Sequence, residues 1–473
     1  MFGSIVQTFT NCFKIPELKS RIFFTVLLLA ICRLIAYLPV PGLDGGLLRE
    51  FFRKNASADG GGALGMYNLF TGGALEQCAV GALGIMPYIS ATIIIQLLTA
   101  VIPQLSKLAR EEGGRTKIIQ YGRYLTVLLC LIQGGAMAFG WENPEKIFGA
   151  DIGRLVLYGD DPLSMWWYRI QTVLVLTTGT MLLMWLGEQI TERGIGNGVS
   201  LVITVGILAR LPQAVMALKD MFFPGGGAEP THTFGHAAVL VVLMILVIAG
   251  VIAVTQAQRK IPVQYAQRAV GRKVYSGGTS FMPLRVNYAG VMPVIFASAI
   301  LMFPQKFFIF LAGSIKAESG GFAKFASDTC RTIGQALNEG SATYLILFGL
   351  MILFFSYFWV ATQFNELQIA DDLKKNGGYI PGVRPGPATS DYLHNTMSRI
   401  TLAGAIFLTV IAVIPIVMQN LLKIPPTVTQ FFGGTSMLIT VGVMLDTMRQ
   451  VESHLLMRHY DGFLKKGKLR GRL

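Results

Sequence analysis

The chain has 473 residues, of which 52% are hydrophobic and only 14% are charged, and its mean hydropathy is +0.54. Soluble globular proteins average about 25% charged residues, so this chain has too little charge to cover a surface that faces water. The composition excludes disorder, collagen and a disulfide-built secreted domain, and it favours a membrane protein with many spans.

Ten stretches are apolar enough and long enough to cross a bilayer as helices, since a hydrocarbon core of about 30 Å needs roughly 20 helical residues. The predicted spans are 21–40, 76–101, 118–139, 167–187, 199–219, 237–256, 288–311, 342–363, 400–420 and 433–450. Arg33 lies well inside the first span, where a charge is costly unless it faces protein or water. Pro87 lies inside the second span, where it removes a helix hydrogen bond and predicts a kink.

The positions of the basic residues predict how the spans are oriented. An even number of spans places both termini on one side of the membrane. Of the 40 lysines and arginines, 26 fall on that side, in the N-terminus, 102–124, 188–195, 257–286, 364–399 and the tail from Arg449. Because basic loops stay cytosolic, both termini are predicted in the cytosol. The net charge of +14 is therefore a topology signal first, and nucleic-acid binding needs a separate argument.

The chain divides into two halves of five spans each, separated by the glycine-rich outer segment PGGGAEPTHTFG. Five is odd, so the halves would lie in opposite orientations, and inverted repeats of this kind build transporters and channels. The predicted parts are an N-terminal half (1–222), an outer hinge (223–236), a C-terminal half (237–450) and a basic cytosolic tail (451–473).

Two cytosolic loops, 257–286 and 364–399, are longer and more basic than a connector requires, and long loops usually have a function. In the second loop, Gly377-Gly378 and the run from Pro381 to Gly386 predict turns rather than helix. Arg384 is held between those turns. In the GIGNG run at 194–198, which follows a helix, a tight cytosolic turn is expected rather than a phosphate-binding loop.

The segment GALGMYNLFTGGALEQC, before the second span, is too short and too rich in glycine to cross the membrane. It is either an amphipathic outer loop or a re-entrant piece inside a protein cavity, with Gly72-Gly73 as its hinge, and the residues alone favour neither.

The sequence predicts neither enzyme activity nor a metal or cofactor site. HExxH, GxSxG and GxxxxGK[ST] motifs are all missing from it. The acidic residues Glu76, Glu188 and Asp446 fall near predicted span ends, whereas ion-coupled carriers usually need an ionisable group at the midplane. These features favour a passive path driven by a partner. An ion-coupled secondary transporter is the main alternative, and an intramembrane enzyme would need a site that is not visible.

Several long segments, in the same order along nearly the whole chain, resemble the SecY family of protein-conducting channel subunits. They are YNLFTGGAL, ALGIMPYISATIIIQLLT, GTMLLMWLGEQITERGIGNG, GRKVY, PLRVNYAGVMPVIFAS, YIPGVRPG and FFGGTSMLI. The resemblance implies an all-α polytopic membrane protein, with ten transmembrane helices in two inverted five-helix halves around an hourglass pore. It implies that unfolded secretory polypeptides cross through the pore, while apolar segments leave sideways into lipid.

The resemblance also assigns roles to residues of the path. A pore ring would consist of Ile85, Ile89, Val199, Ile203, Ile295 and Ile439. A narrow aliphatic ring repels water and ions yet closes flexibly around a moving chain. A plug over 64–74, including Tyr67, Asn68, Phe70, Gly72 and Gly73, would block the pore from outside at rest.

The second and seventh spans would form a lateral gate, with the third and eighth beside them and Ser90, Gln133 and Ser298 as gate-face residues. Arg272, Lys273 and Arg384 would dock the motor ATPase SecA or the ribosome, whose RNA phosphates would give salt-sensitive binding. The further partners implied are SecE, SecG, signal peptides, nascent polypeptides and the lipid bilayer. The implied location is the bacterial inner (plasma) membrane.

Overall fold

The structure is a computed structural model. It describes residues 15–466, apart from 56–66, 69, 112, 145–152, 160, 224–233, 266–267, 271–272, 276–277, 315–320, 339–340, 423–427 and 429–434. The plug positions 64–66 and 69, Arg272, most of the predicted outer hinge and both ends of the chain therefore lie outside the described residues.

Each of the ten predicted spans coincides with at least part of a helix. In the N-terminal half these are α1 (Pro16–Ile35), α2 (Gly45–Asn55), α3 (Met86–Val101), α4 (Pro103–Arg110), α5 (Gly114–Glu142), α6 (Pro162–Arg193), α7 (Gly198–Leu208) and α8 (Leu211–Phe222). In the C-terminal half they are α9 (Phe234–Gln256), α10 (Met292–Ser314), α11 (Gly321–Ala336), α12 (Ala342–Gln363), α13 (Glu366–Lys375), α14 (Pro387–Leu422) and α15 (Thr435–Lys466). The short helices α2 and α11 lie in outer loops.

By length and composition alone, six helices of the described chain could cross a membrane, or seven if the bent pair α3–α4 forms one span. The axes of α3 and α4 differ by 105°. The apolar stretch Met292–Leu301 of α10 is shorter. In α1, Lys19, Arg21 and Arg33 interrupt the hydrophobic sequence.

The second predicted span begins too early in the sequence. Residues 71–85 form turns, and α3 starts only at Met86. Pro87 therefore lies in the first helical turn, where its missing N–H would have no helical partner anyway, so the predicted kink at Pro87 is wrong. The bend comes instead at Ile102, just before Pro103, because a residue preceding proline is driven out of the helical region.

Two other predicted boundaries are wrong because helices continue beyond the apolar stretch. α14 begins at Pro387, well before residue 400, and α15 runs past Arg449 to Lys466. The first turns of α14 belong to the loop that is predicted to be cytosolic and are amphipathic, with Leu393 and Met397 buried four residues apart. Hydropathy detects only the membrane part of such a helix.

The helices pack mainly within their own half. In the N-terminal half, α6 packs against α1, α5 and α7, and α3 packs against α5. In the C-terminal half, α14 packs against α9 and α12, and α12 packs against α10. Across the halves, α3 packs against α10 and α7 packs against α15. The two halves therefore meet along two seams, and one large buried core includes residues from both.

The two long loops that are predicted to be cytosolic form β-structure that the sequence reasoning did not predict. The strands are β1 (Gln258–Tyr265), β2 (Arg268–Val270), β3 (Lys273–Tyr275), β4 (Thr279–Arg285) and β5 (Gly378–Tyr379), of which β2 and β3 pair with each other as a separate two-stranded sheet. β1 pairs antiparallel with β4 along one edge and with β5 along the other, so both loops contribute to one sheet. A separate hydrophobic cluster, including Ile261, Ile380 and Leu393, fixes this sheet against the ends of α12 and α14.

Candidate functional site

Six aliphatic residues from four helices lie in the large buried core, and we call them the aliphatic cluster. They are Ile85 and Ile89 at the start of α3, Val199 and Ile203 on α7, Ile295 on α10 and Ile439 on α15. Five are buried, and Val199, which has the smallest side chain, is half-buried. These are the residues that the resemblance assigns to a pore ring.

Local structure explains how α3 presents its two isoleucines. Ile85 is the residue before the first helical turn, and the Ile89 N–H donates to the Ile85 carbonyl at 3.2 Å. Residues four apart lie on the same helix face, so both side chains point the same way. On α7 the spacing of Val199 and Ile203 is again four residues.

The predicted plug segment is held in place by its own backbone and by neighbouring spans. We use "plug segment" for the described residues of the predicted plug, 67, 68 and 70–74, together with Leu75 and Glu76, which directly follow it; they form a helical turn followed by turns. The Tyr67 hydroxyl donates to the Leu83 carbonyl at 3.1 Å, and Tyr67 and Phe70 are both buried. Irregular backbone buried in protein is the condition that a re-entrant piece requires. Of the two alternatives for this segment, the structure supports the re-entrant one.

Gly72 and Gly73 both have positive φ, at +67° and +88°, a region that favours glycine. Gly72 also approaches α7 closely, since a Cβ placed on it would lie 2.8 Å from the Gly206 Cα. Arg33 of α1 donates to the Gly72 carbonyl at 3.0 Å, and its guanidinium also lies 5.2 Å from the Tyr37 ring centroid. Arg33 thus faces protein, as predicted for a charge within a span.

Two charged residues join the plug segment to the fifth span, and the sequence reasoning missed this contact. Arg210, just after α7, forms an ion pair with Glu76 at 2.6 Å between Nη2 and Oε2. The same Glu76 oxygen accepts from Asn68 Nδ2 at 2.9 Å. The available signal was a charge of each sign, with Arg210 inside the predicted fifth span and Glu76 at the start of the second.

The predicted gate residues lie on α3, on α10 and on the neighbouring α5. Ser90 and Ser298 are buried, and Ser298 donates to the Ile295 carbonyl at 2.9 Å. Gln133 is half-buried on α5, and its Nε2 is shielded from solvent without a hydrogen-bond partner among the described residues. Helices α5 and α12 lie beside α3 and α10, as the resemblance implies.

In the second of the two loops that are predicted to be cytosolic, Arg384 is exposed on the turn that follows β5. The turn is fixed by Gly382 and Gly386, with φ of +84° and +107°, and by the Thr389 hydroxyl, which donates to the Arg384 carbonyl at 2.8 Å. This confirms the predicted turns around Arg384. Lys273 begins β3, but its side chain, like all of Arg272, lies outside the described residues.

The predicted GIGNG turn is confirmed, and it has contacts that the sequence did not indicate. Gly196 has φ of +89°, and its N–H donates to Gln450 Oε1 of α15 at 2.8 Å. The Ile195 N–H donates to the Thr25 hydroxyl of α1 at 3.1 Å. Asn197 caps α7 by accepting from the Ser200 N–H. The turn therefore joins the first and last spans beneath the aliphatic cluster.

Among the described residues, no group of three or more His, Cys, Asp or Glu side chains is arranged to hold a metal ion. What the structure shows is a set of buried aliphatic side chains from both halves, in the same core as Tyr67 and Phe70 of the plug segment. If these side chains line a constriction, it would oppose ions by desolvation and would require no chemistry of its own.

Comparison with known proteins gives a consistent result. The family model described as SecY matches residues 79–448. The protein translocase subunit SecY of Chlamydia trachomatis is 41% identical over 476 residues, covering 99% of this chain and all of that one. The Thermotoga maritima protein of the same name is 41% identical over 470 residues, with 98% and 99% of the two chains covered.

Three solved structures share the fold, each at 18% identity and each covering 95% of this chain and 94% of the other. One is described as the structure of a protein conducting channel, with a TM-score of 0.59. A second concerns the plug domain of the SecY protein and its stabilisation of the closed channel, with a TM-score of 0.56. The third is Sec61 in a canine ribosome–channel complex from the endoplasmic reticulum, also with a TM-score of 0.56.

Proposed function

The chain belongs to the SecY family, and on that premise we propose that it is the central pore-forming subunit of a bacterial protein translocase. In this role it conducts unfolded secretory polypeptides across the inner membrane and releases apolar segments sideways into lipid. The observation that carries the proposal is the aliphatic cluster, which gathers side chains from both halves beside the buried plug segment. Identity of 41% over the full length of the translocase subunits supports it independently.

The aliphatic cluster acts as the pore ring. Its members come from α3 and α7 of one half and from α10 and α15 of the other, so separation of the halves would widen it. Aliphatic side chains form no hydrogen bonds with water. An ion that enters a narrow aliphatic ring therefore loses its hydration shell and gains no polar contacts in exchange. They also make no directional bonds, so a passing chain of any sequence can slide through.

The seam between α3 and α10 acts as the lateral gate. The two helices contact each other there, and each carries a small buried polar residue, Ser90 on α3 and Ser298 on α10. When it parts, a segment in the pore meets lipid, and a stretch of about 20 apolar residues gains by moving outward. A polar stretch has no such gain and continues across.

The sheet of the two cytosolic loops, with Arg384 at its exposed turn, forms the docking surface for SecA or the ribosome, and Arg272 and Lys273 add to it. Rigid turns hold Arg384 in place, so less side-chain and backbone freedom is lost on docking. SecE and SecG complete the complex. Both termini of the chain face the cytosol. The two five-helix halves move relative to each other about the outer hinge.

The proposal is tested by reconstituting the chain with SecE in vesicles, adding SecA and ATP, and arresting a precursor in transit. Photo-crosslinkers at positions 89 and 295 are expected to capture the precursor, whereas one at the lipid-exposed Ile245 of α9 is expected to capture none. Transport without contact at positions 89 and 295 would refute the path. Uptake of a small solute without any partner would instead favour a secondary transporter.

A further inference from the structure

A chain of polar contacts runs from the fifth span into the plug segment. Arg210 binds the Glu76 carboxylate at 2.6 Å, and Glu76 in turn contacts both ends of the Asn68 side-chain amide. Its carboxylate accepts from Asn68 Nδ2 at 2.9 Å, and its backbone N–H donates to Asn68 Oδ1 at 3.3 Å. Asn68 is 1% exposed and Glu76 is 9% exposed, so these bonds are shielded from water.

Arg210 follows α7 directly and lies on the same helix face as two residues of the aliphatic cluster. Val199, Ile203, Gly206 and Arg210 follow one another at intervals of four, three and four residues, which is one stripe of a helix. The helical hydrogen bonding continues through the break after Leu208, since Ala209 N–H donates to Val205 and Ala214 N–H donates to Arg210. A displacement of Ile203 therefore moves the other residues of the stripe with it.

Two residues of this stripe touch the plug segment directly. Gly206 packs against Gly72, where a Cβ on Gly206 would lie 3.4 Å from the Gly72 Cα, and Arg210 holds Glu76. Because Gly206 has no side chain, the two backbones can approach closely, and the contact disappears after a small shift of α7. The same helix face therefore contributes Val199 and Ile203 to the pore ring and Gly206 and Arg210 to the contacts with the plug segment.

Resting on the proposed function, we infer that Glu76 and Arg210 are positioning residues that couple widening of the pore ring to release of the plug. A polypeptide that pushes Ile203 outward carries Gly206 and Arg210 away, so that Arg210 no longer holds Glu76 and Gly206 no longer packs against Gly72. The attraction within a buried ion pair is largely offset by desolvation. The pair therefore sets the resting position of the plug without making its release prohibitive.

The first experiment measures the resting ion conductance of the chain reconstituted with SecE. The variants Arg210→Gln and Glu76→Gln are each expected to raise it about tenfold, because each leaves one charge buried without its partner. The double variant is expected to leak less than either single variant, since no unpaired charge remains. The matched control is Arg169→Gln, which breaks the 2.8 Å ion pair with Glu142 between α6 and α5 of the same half, and is expected to leave the conductance unchanged.

The second experiment tests the coupling itself, with Phe70→Cys as a reporter, because Phe70 is buried in the plug segment. A membrane-impermeant maleimide added from the outside is expected to label the introduced thiol slowly at rest and at least about fivefold faster when a precursor is stalled in the pore. In the Arg210→Gln background, labelling is expected to be fast with or without the precursor. Labelling of the same chain with Phe70 retained gives the background from the native cysteines.

Single variants that conduct like Arg169→Gln, or a double variant that leaks as much as both single variants together, would overturn the inference. So would a stalled precursor that leaves labelling of the thiol at position 70 at its resting rate. Failure of the proposed function is distinguished in the same vesicles, because the unmodified chain would then transport no precursor with SecA and ATP.

Discussion

Replacement of Gly72 by Ala tests how firmly the plug segment is seated. Gly72 has φ of +67°, where an L-residue costs about 1–2 kcal/mol more than glycine. The added Cβ would lie 2.5 Å from Arg33 Nη1 and 2.8 Å from the Gly206 Cα, so the Arg33 bond to the Gly72 carbonyl is lost. A hydrogen bond from a charged group contributes about 1.5–3 kcal/mol to stability. We use the lower value, about 1.5 kcal/mol, because Arg33 is half-exposed and water weakens the bond.

Together these terms disfavour the closed state by about 3 kcal/mol, and 1.4 kcal/mol corresponds to a tenfold change in an equilibrium. We therefore expect the ratio of open to closed channels to rise by roughly a hundredfold, measured as single-channel open probability in planar bilayers. Gly113→Ala is the matched control, because Gly113 has φ of +78° but no atom within 4 Å of a built Cβ. It carries the same backbone strain without touching the plug. If both variants stay as closed as the parent chain, the contacts of Gly72 do not hold the plug.

Other perturbations address the remaining parts of the site. Arg384→Glu is expected to reduce SecA-driven export severalfold without loss of assembly. Arg331→Glu is the control, because Arg331 is also exposed but lies on α11, which is predicted on the outer side, and it is expected to leave export unchanged. Normal export by Arg384→Glu in inverted vesicles would contradict the docking role. Replacing Ile89, Ile203 and Ile295 together by Asn is expected to hydrate the pore ring and to raise the resting ion conductance. Replacing the same three residues by Val is expected to leave the conductance low. Equal conductance of the two triple variants would contradict an apolar barrier. Lys273→Ala is expected to weaken ribosome binding and to lower the slope of its salt dependence by about one, as for a single phosphate contact, and an unchanged slope would argue against that contact.

The spans could be predicted from the sequence because membrane helices must be long and continuously apolar. The boundaries were harder. Residues 76–85 are apolar and glycine-rich, so hydropathy joined them to the second span, although Gly84 has positive φ and the chain turns there. The sheet of the cytosolic loops was missed because its strands are short and β1 depends on pairing with residues about a hundred positions later in the sequence.

For the site, the aliphatic residues came from the resemblance rather than from their pattern, since isoleucines four apart are common in any membrane helix. The pairing of Glu76 with Arg210 could not be predicted, because it depends on how α7 and the plug segment fold against each other. Arg33 was expected to face protein or water; it faces protein, and its bond to the Gly72 carbonyl was not predicted. A charge inside or at the end of a span predicts that a partner exists, whereas only the fold identifies it.

The pairing of β5 with the far edge of β1 has a mechanical consequence. β1 continues directly from α9, β4 leads into α10, and β5 lies between α13 and α14. A partner that binds either loop would therefore contact one rigid sheet that is connected to several helices of the C-terminal half. Rotation of that partner would rotate α10, which contacts α3, relative to the N-terminal half.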